Sequence, residues 1–265
     1  MSIISLLTDF GTRDGYVGVM KGVIWSIAPQ AHIADLSHEV PPQNILAGAM
    51  TLDRCARFFP PGTVHVGVVD PGVGTERRSI AALLGRQYFV GPDNGLATLL
   101  LEAAERNGDD VAFFNLDKPA YWLDNISASF HGRDIFAPVG AHLANGVPIS
   151  MVGTAIDDPV RITMPVPQQI PNGWKGQIMR IDHFGNCATN LSRADLSGLE
   201  TADININGQS IHGMVKSFGD RSPGKLIAMF NSDDRLEIAV VNGNASQLLH
   251  ARVGDPIEIL AKDQA

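Results

Sequence analysis

The chain has few cysteines, no long hydrophobic run and no surplus of positive charge. Its 265 residues include two cysteines, Cys55 and Cys187, which lack the short spacing of a zinc site and are too few for a disulfide framework. No stretch approaches the ~18 uncharged apolar residues that a membrane-spanning helix needs. The apolar stretch 3–7 also lacks the basic segment that precedes the core of a signal peptide. We therefore expect a soluble, cytoplasmic protein with reduced cysteines and no membrane contact.

The charge balance is acidic, with a formal net charge of -8, and no run of lysine or arginine interrupts it. Nucleic-acid binders usually carry a basic stripe that contacts phosphates, so we expect no nucleic-acid partner. The eight histidines form no His-x-x-x-His pair and have no cysteine partners, which argues against a dedicated metal site. With 45% hydrophobic and 18% charged residues, the chain can bury a core.

Residues 1–163 alternate short apolar runs with segments of helical period. The predicted strands are 2–7, 32–36, 63–69, 79–84, 87–90 and 111–116, and the predicted helices are 17–27, 45–59, 96–106 and 135–143. This alternation predicts an α/β fold, a Rossmann-like N-terminal domain with a largely parallel sheet. Such sheets bind ligands beyond the carboxyl ends of their strands, so we single out Asp9, Asp70 and Asp93, which follow predicted strands.

The pattern changes after residue 163. Residues 164–173 are rich in proline and predict a linker. Residues 174–265 contain short apolar runs separated by turn dipeptides such as Asn207-Gly208 and Asn242-Gly243. The predicted strands are 176–181, 202–206, 226–230, 236–241 and 256–260. We therefore expect a small all-β C-terminal domain, a β-barrel or a sandwich.

Two polar segments of the N-terminal domain suggest chemistry, and each also has a simpler explanation. Asp9 follows the first strand, where a carboxylate can accept two hydrogen bonds from a ribose diol or cap the next turn. In segment 68–78, VVDPGVGTERR, a strand delivers Asp70 to a Pro-Gly turn that Arg77 and Arg78 follow. The glycines let a ligand approach the backbone closely. The alternative is an ordinary turn with a surface ion pair, worth under ~1 kcal/mol.

Two further segments place polar groups where a ligand or a proton could be handled. His131 opens a predicted helix beside a glycine, and a histidine there can move protons or make only a local hydrogen bond. Segment 181–186, IDHFGN, offers a carboxylate, an aromatic face and an amide from Asp182, Phe184 and Asn186. That set suits a cationic amine plus a heterocycle such as adenine, and a polar turn explains it equally well.

Taken together and in order, the motifs resemble those of the S-adenosyl-L-methionine (SAM) hydroxide adenosyltransferases, hydrolytic relatives of the bacterial fluorinase and chlorinase. The strings are TDFGTRDGYVGVMKG (8–22), VVDPGVGTERR (68–78), GPDNGL (91–96), FHGRDIFAP (130–138), IDHFGN (181–186), Asn231-Ser232 and Asn244-Ala245-Ser246. The second and fourth strings are highly specific. The resemblance implies an N-terminal α/β domain, a C-terminal β-barrel and a homotrimer. Each active site would lie between one subunit's N-terminal domain and its neighbour's C-terminal domain.

The same resemblance implies an activity and a set of site residues. The reaction is hydrolysis of SAM to adenosine and L-methionine, by attack of water or hydroxide on the ribose 5′ carbon. SAM is the substrate, and no cofactor or metal is implied. Asp70, Arg77 and His131 match the family's water-activating triad, while Asp9 would bind the ribose hydroxyls and Asp14 would lie near the methionine end. The remaining ligands of the methionine ammonium and the adenine would be Asp182, Phe184 and Asn186, with Ser232 and Ala245 completing the pocket.

Two departures from the halogenating relatives bear on the activity. Asp70 stands where those relatives carry an aromatic residue, and Val73 and Gly132 stand where they carry small hydroxyl residues. A carboxylate would repel a halide, which argues against a halogenase. Asp233 follows Ser232 where those relatives place an arginine that helps to hold the methionine end. The alternative from another class is a non-catalytic SAM or adenosine sensor, which would need the ligand contacts without the triad.

The substrate's chemistry indicates which step needs help. Attack at the 5′ carbon neutralises the sulfonium charge, and reactions that destroy charge are favoured in a dry site of low dielectric constant. Water is a poor nucleophile, so removal of a water proton is the step to assist. Asp70 and His131 could share that proton while Arg77 orients the carboxylate. The sequence assigns the proton to neither group, because interacting groups titrate as a unit.

Overall fold

The computed structural model describes residues 2–261, which form two compact units that divide between Thr163 and Met164. The strands of the first unit are β1 (Ile3–Thr8), β2 (His32–Ser37), β3 (Val64–Val68), β4 (Ser79–Leu84), β5 (Gln87–Pro92), β6 (Val111–Asn115) and β7 (Thr154–Ile156). Its α-helices are α1 (Tyr16–Ile27), α2 (Ile45–Ala56), α3 (Thr98–Asn107) and α4 (Ala137–Ala144). Within the described part of the chain, no helix is long and apolar enough to cross a membrane.

The sheet of the first unit has the strand order β2-β1-β3-β5-β4-β6-β7. Strands β2, β1, β3, β5 and β6 run in one direction, whereas β4 and β7 run against their neighbours. This arrangement confirms the largely parallel sheet. Because β1, β3 and β5 are adjacent and parallel, the loops that follow their carboxyl ends share one edge of the sheet.

Helices cover both faces of this sheet, which explains why its central strands are apolar at nearly every position. Ile4 and Leu6 of β1 pack in the hydrophobic cluster that contains α1 and α4 residues. Leu7 points to the opposite face and packs in the cluster with α2 and α3 residues. Strand β1 therefore carries an unbroken buried run instead of an alternating one.

The helix predicted from residue 135 begins earlier and differently. A π-helical turn, Gly132–Phe136, precedes α4, and the Ala137 N–H bonds the Gly132 carbonyl five residues back. Pro138 has no N–H to donate to the carbonyl of Asp134, so a regular α-helical ladder is interrupted there. The Asp134 carbonyl instead accepts a hydrogen bond from Leu123 N at 2.9 Å. Such wide turns are frequent at functional sites, and this one begins directly after His131.

The second unit is an eight-stranded antiparallel sheet that curls into a nearly closed barrel, which confirms the predicted fold class. Its strands are β8 (Gln168–Ile170), β9 (Gly173–Ile181), β10 (Cys187–Ser192), β11 (Asp203–Ile206), β12 (Gln209–His212), β13 (Leu226–Phe230), β14 (Arg235–Val240) and β15 (Pro256–Leu260), and its short helix is α5 (Ala245–Leu249). Segment 164–173, predicted as a linker, belongs to this unit and contains β8, which pairs with β9.

Strand β3 contains a buried histidine whose pKa is far below its ordinary value. The His65 side chain is fully buried, its Nδ1 lies 2.6 Å from Ser5 Oγ, and burial lowers its pKa from 6.5 to about 4. Its Nε2 has no partner of normal hydrogen-bond geometry among residues 2–261, and the nearby Gln87 side chain offsets only part of the shift. In the unfolded chain this imidazole titrates near its ordinary pKa of ~6.5.

We expect His65 to reduce the free energy of unfolding as the pH falls from about 6.5 to about 4, because only the unfolded chain binds the proton in that range. The full loss is about 3 kcal/mol for a shift of this size. Urea unfolding at pH 7 and pH 4.5 measures most of this loss. His65→Asn, which keeps a polar atom near Ser5, should show a smaller pH dependence, and equal slopes for both proteins would contradict the prediction.

Candidate active site

The loop between β3 and β4 brings three predicted site residues into one hydrogen-bonded network. Arg77 Nε lies 2.9 Å from Asp70 Oδ1, and Arg77 Nη2 donates to Asp70 Oδ2. The same Nη2 lies 2.9 Å from His131 Nδ1. The side chains of Asp70 and Arg77 are only 5% and 11% exposed, so this ion pair is shielded from solvent, unlike the surface pair considered as an alternative.

Glycine at position 74 allows this approach. Gly74 has a φ of 77°, and a Cβ there would lie 2.2 Å from the carbonyl oxygen of Ala128. A side chain at this position would therefore push the 69–78 loop away from the segment that leads to His131. Asn94 also holds the start of this loop, because its Nδ2 donates to the Val69 carbonyl at 2.8 Å. Gly74 and Asn94 thus both contact segments that lead to the network.

The contact with Arg77 determines the protonation state of His131. A guanidinium can only donate, so His131 Nδ1 accepts and carries no proton. Burial, followed by the positive charge of Arg77, lowers the pKa of His131, while the charges of Asp70 and Asp134 and the Ser127 backbone oppose the shift. His131 is therefore neutral at pH 7, with its proton on Nε2.

Asp9 occupies the same edge of the sheet and does not cap a helix. Its Oδ2 accepts a hydrogen bond from the backbone N–H of Gln43 at 2.7 Å, and Gln43 has a φ of 64°. The N-cap residue of α1 is Gly15, and no side chain caps this helix. The bond to Gln43 uses Oδ2 and leaves Oδ1 for a second partner.

The other two carboxylates of this region have different surroundings. Asp14 is exposed and its Oδ1 lies 3.2 Å from Nε of the neighbouring Arg13, so the structure does not join it to Asp9 or to the network around Arg77. Asp93 is buried, bonds Arg78 and accepts from Val160 N at 2.8 Å. Asp93 follows a strand as predicted. Its two contacts link it to Arg78 and to the backbone at Val160, which indicates a structural role.

In the second unit, Asp182 organises its own loop. Its Oδ1 accepts from the backbone N–H groups of Phe184 and Asn186 at 2.9 and 2.8 Å, and its Oδ2 accepts from Asn186 Nδ2 at 3.0 Å. Asn186 is buried and the Phe184 ring is 71% exposed. Segment 181–186 therefore forms a polar turn, one of the two interpretations of its sequence. The turn leaves the face of the Phe184 ring accessible for a ligand.

This loop packs against the turn that begins α5. Ser246 N donates to the Gly185 carbonyl at 2.9 Å, and a Cβ on Gly185 would lie 2.1 Å from Asn244 Oδ1. Ala245, between the two contacts, is fully buried. The structure thus brings Asp182, Asn186 and Ala245 together at one end of the barrel.

Ser232 lies in the exposed turn between β13 and β14. Asn231 shapes this turn, since its Oδ1 accepts from Asp233 N at 2.9 Å and its Nδ2 donates to Glu237 Oε2 at 3.1 Å. Glu237 is buried, and burial together with the charges of Asp182 and Asp233 raises its pKa. The turn of Ser232 and the loop of Asp182 are therefore both close to Glu237, as is the positive charge of Arg180, which opposes the shift.

Comparison with known proteins assigns the chain to a family. The pattern of the SAM hydroxide adenosyltransferase N-terminal domain matches residues 4–153, and that of the corresponding C-terminal domain matches residues 176–258. The protein is a SAM hydroxide adenosyltransferase family member. A protein named (R)-S-adenosyl-L-methionine hydrolase from Salinispora arenicola is 38% identical to it over 97% of both chains. Another of the same name, from Thermus thermophilus, is 37% identical over 98% of this chain and 100% of the other.

The halogenating branch of the family is more distant. A fluorinase of an Actinoplanes species is 31% identical over 73% of each chain. Among solved structures, a conserved protein from Thermotoga maritima superposes with a TM-score of 0.89 at 38% identity, covering 97% of this chain and 99% of the other. The relatives named hydrolase therefore match this chain at higher identity and over more of its length than this fluorinase does.

The structure adds residues that the sequence analysis did not single out. Ser79 bonds Arg77, Gln43 bonds Asp9, and Glu237 bonds the turn of Ser232. Ser79 begins an otherwise apolar strand and Glu237 lies between apolar neighbours in β14, a pattern typical of buried polar groups with specific partners. Gln43 acts through its backbone, which no side-chain motif could indicate. No group of three or more His, Cys, Asp or Glu residues within 2–261 could hold a metal ion.

Proposed function

We propose that this protein hydrolyses SAM to adenosine and L-methionine, with water attacking the ribose 5′ carbon. The observation that carries the proposal is the shielded Asp70–Arg77–His131 network, held at the carboxyl edge of a parallel sheet in a member of this family. The names of the full-length relatives support the same reaction. SAM enters as the substrate, and we propose no metal or cofactor.

Asp70 is the group that accepts the water proton in this proposal. Each carboxylate oxygen has two lone-pair sites, and Oδ1 uses one of them for Arg77 Nε. His131 is a poor acceptor, because its Nδ1 already binds Arg77 and a second proton would place two cations side by side. The water oxygen bonds the 5′ carbon, the C–S bond breaks with its electron pair left on sulfur, and the water proton passes to Asp70.

Two other functions fit the geometry less well. A SAM or adenosine sensor has no use for a buried carboxylate–arginine–histidine network, whose charges are costly to shield from water. A halogenase would have to bind an anion beside Asp70, which is only 5% exposed, and like charges repel strongly in such a site. Of the three functions, only hydrolysis uses all three members of the network.

The reaction is tested by incubating the protein with SAM and separating the products by chromatography. We expect adenosine and methionine in equal amounts, and in ¹⁸O-water we expect the label in the adenosine 5′-hydroxyl. Adenosine incubated alone with the protein in ¹⁸O-water is the control for later exchange. Unlabelled adenosine, or 5′-methylthioadenosine as the product, would overturn the proposal.

We also propose a homotrimer whose active sites are completed by a neighbouring subunit, in the cytoplasm. The support is the family resemblance and the order of the site residues: Asp70, Arg77 and His131 precede Thr163, whereas the remaining proposed ligands, Asp182, Phe184, Asn186, Ser232 and Ala245, follow it. Cyclic symmetry would then produce three equal sites from one kind of contact. The two free cysteines suit a reducing compartment.

Mixing two inactive variants tests the shared site. Asp70→Asn and Asn186→Ala subunits, unfolded and reassembled together, should regain activity, since about a quarter of neighbouring pairs in an equal mixture join two intact halves. Asn186→Ala removes the amide that bonds Asp182 Oδ2. Each variant reassembled alone is the control. No recovery would contradict the shared site, and a monomer by light scattering would contradict the trimer.

A further inference from the structure

The donors of Arg77 are fully engaged by the protein. Nε and Nη2 bond the Asp70 carboxylate, and Nη2 also bonds His131 Nδ1. Nη1 lies 2.8 Å from Ser79 Oγ and 3.5 Å from the Arg78 carbonyl. A guanidinium has five N–H groups, so little is left for the substrate or the water. Arg77 therefore acts by holding its neighbours in place.

Ser79 is a fixed support for this arginine. It is the first residue of β4 and is buried, with a relative exposure of 8%. Its backbone carbonyl accepts a hydrogen bond from Leu116 N at 2.7 Å, and it pairs with Pro92 of β5. The hydroxyl is thus presented by the sheet, whereas Asp70 and Arg77 belong to a connecting loop.

A second contact restricts the orientation of the guanidinium plane of Arg77. The Cζ atom of Arg77 lies 5.3 Å from the ring centroid of Phe136, which is fully buried at the end of the π-helical turn. The ring restricts motion perpendicular to the guanidinium plane, and the Ser79 hydroxyl restricts rotation within it. Together they direct Nη2 to the position between Asp70 and His131.

We propose that Ser79 is a positioning residue for hydrolysis, which holds Arg77 so that Nη2 contacts Asp70 and His131 at once. This inference rests on the proposed function, because it assigns Ser79 a task in the same reaction. Without the hydroxyl, Nη1 must find another acceptor in a shielded site, and the guanidinium turns away from its present orientation. His131 Nδ1 then loses its donor, and Asp70 loses the alignment of its free lone pair.

The alternative is that Ser79 only stabilises the start of β4, and a matched variant separates the two roles. Ser5→Ala removes a buried serine hydroxyl from the same sheet, one that contacts His65 in place of Arg77. Ser79→Ala should lower kcat about tenfold, the scale of one hydrogen bond to a charged group, with little change in KM. Ser5→Ala should leave kcat unchanged. Ser79→Thr, which keeps the hydroxyl, should restore most of the activity.

The pKa of His131 is the readout that a structural role would not move. The ring faces Arg77, Asp70 and Asp134, and the Arg77 charge lowers its pKa. In Ser79→Ala the pKa should rise, as measured by NMR titration of the imidazole with His131→Gln to assign the signal. An unmoved pKa, or equal kcat losses in Ser79→Ala and Ser5→Ala, would overturn the proposal. The titration needs no SAM turnover, so it decides whether Ser79 positions Arg77 even if the proposed reaction is wrong.

Discussion

Replacing Asp70 with asparagine should lower kcat by ~10²-fold or more, the usual contribution of general-base assistance. Asparagine keeps the shape of the side chain and an acceptor for Arg77 Nε, but it cannot take a proton from water. KM should stay near the wild-type value, because Asp70 is assigned no contact with the bound substrate. Steady-state rates from chromatography of adenosine measure both constants.

The control for this variant lies in the same loop. Glu76→Gln removes the same unit of charge from an exposed position six residues away, and it should leave kcat unchanged. Thermal unfolding of both variants checks that the loop still folds, since Asp70 is the charge partner of Arg77. If Asp70→Asn instead abolishes binding while single-turnover chemistry proceeds at the normal rate, Asp70 is a substrate ligand.

Replacing Asp9 with alanine should weaken adenosine binding roughly 10- to 100-fold, from the loss of charge-assisted hydrogen bonds to the ribose worth ~1.5–3 kcal/mol. Calorimetric titration with adenosine measures the change. Alanine also releases the backbone of Gln43, which Asp9 holds at 2.7 Å. Asp9→Asn separates the two effects, because it keeps an acceptor oxygen for Gln43 and loses the charge that the ribose hydroxyls need.

Asp14 provides the matched control for Asp9. It is exposed and is predicted to lie near the methionine end, so Asp14→Ala should weaken SAM binding and leave adenosine binding unchanged. Wild-type affinity for adenosine in both Asp9 variants would mean that Asp9 only anchors Gln43. Wild-type affinity in Asp9→Asn alone would lead to the same conclusion.

Much of the first unit could be predicted because its strands are buried on both faces and its helices have one apolar side. The apolar runs at β1, β3 and β4 predicted these strands, and no observed end differs from the predicted end by more than one residue. The second unit was harder. Strand β10 reads Cys-Ala-Thr-Asn-Leu-Ser, and its polar residues are buried by partners distant in sequence: Thr189 Oγ1 donates to the Leu236 carbonyl at 2.9 Å. No local period signals such a strand.

The sequence by itself determined the fold class and the family and supplied the candidate site residues, because these depend on local period and on motifs within a few residues of each other. Tertiary structure alone decided how those motifs act. Arg77 and His131 are separated by 54 positions, and their contact depends on Gly74 fitting against Ala128. That contact favours a neutral His131 and is the reason we propose Asp70 as the proton acceptor, since hydrogen-bond donors and shielding from water are set by distant parts of the chain.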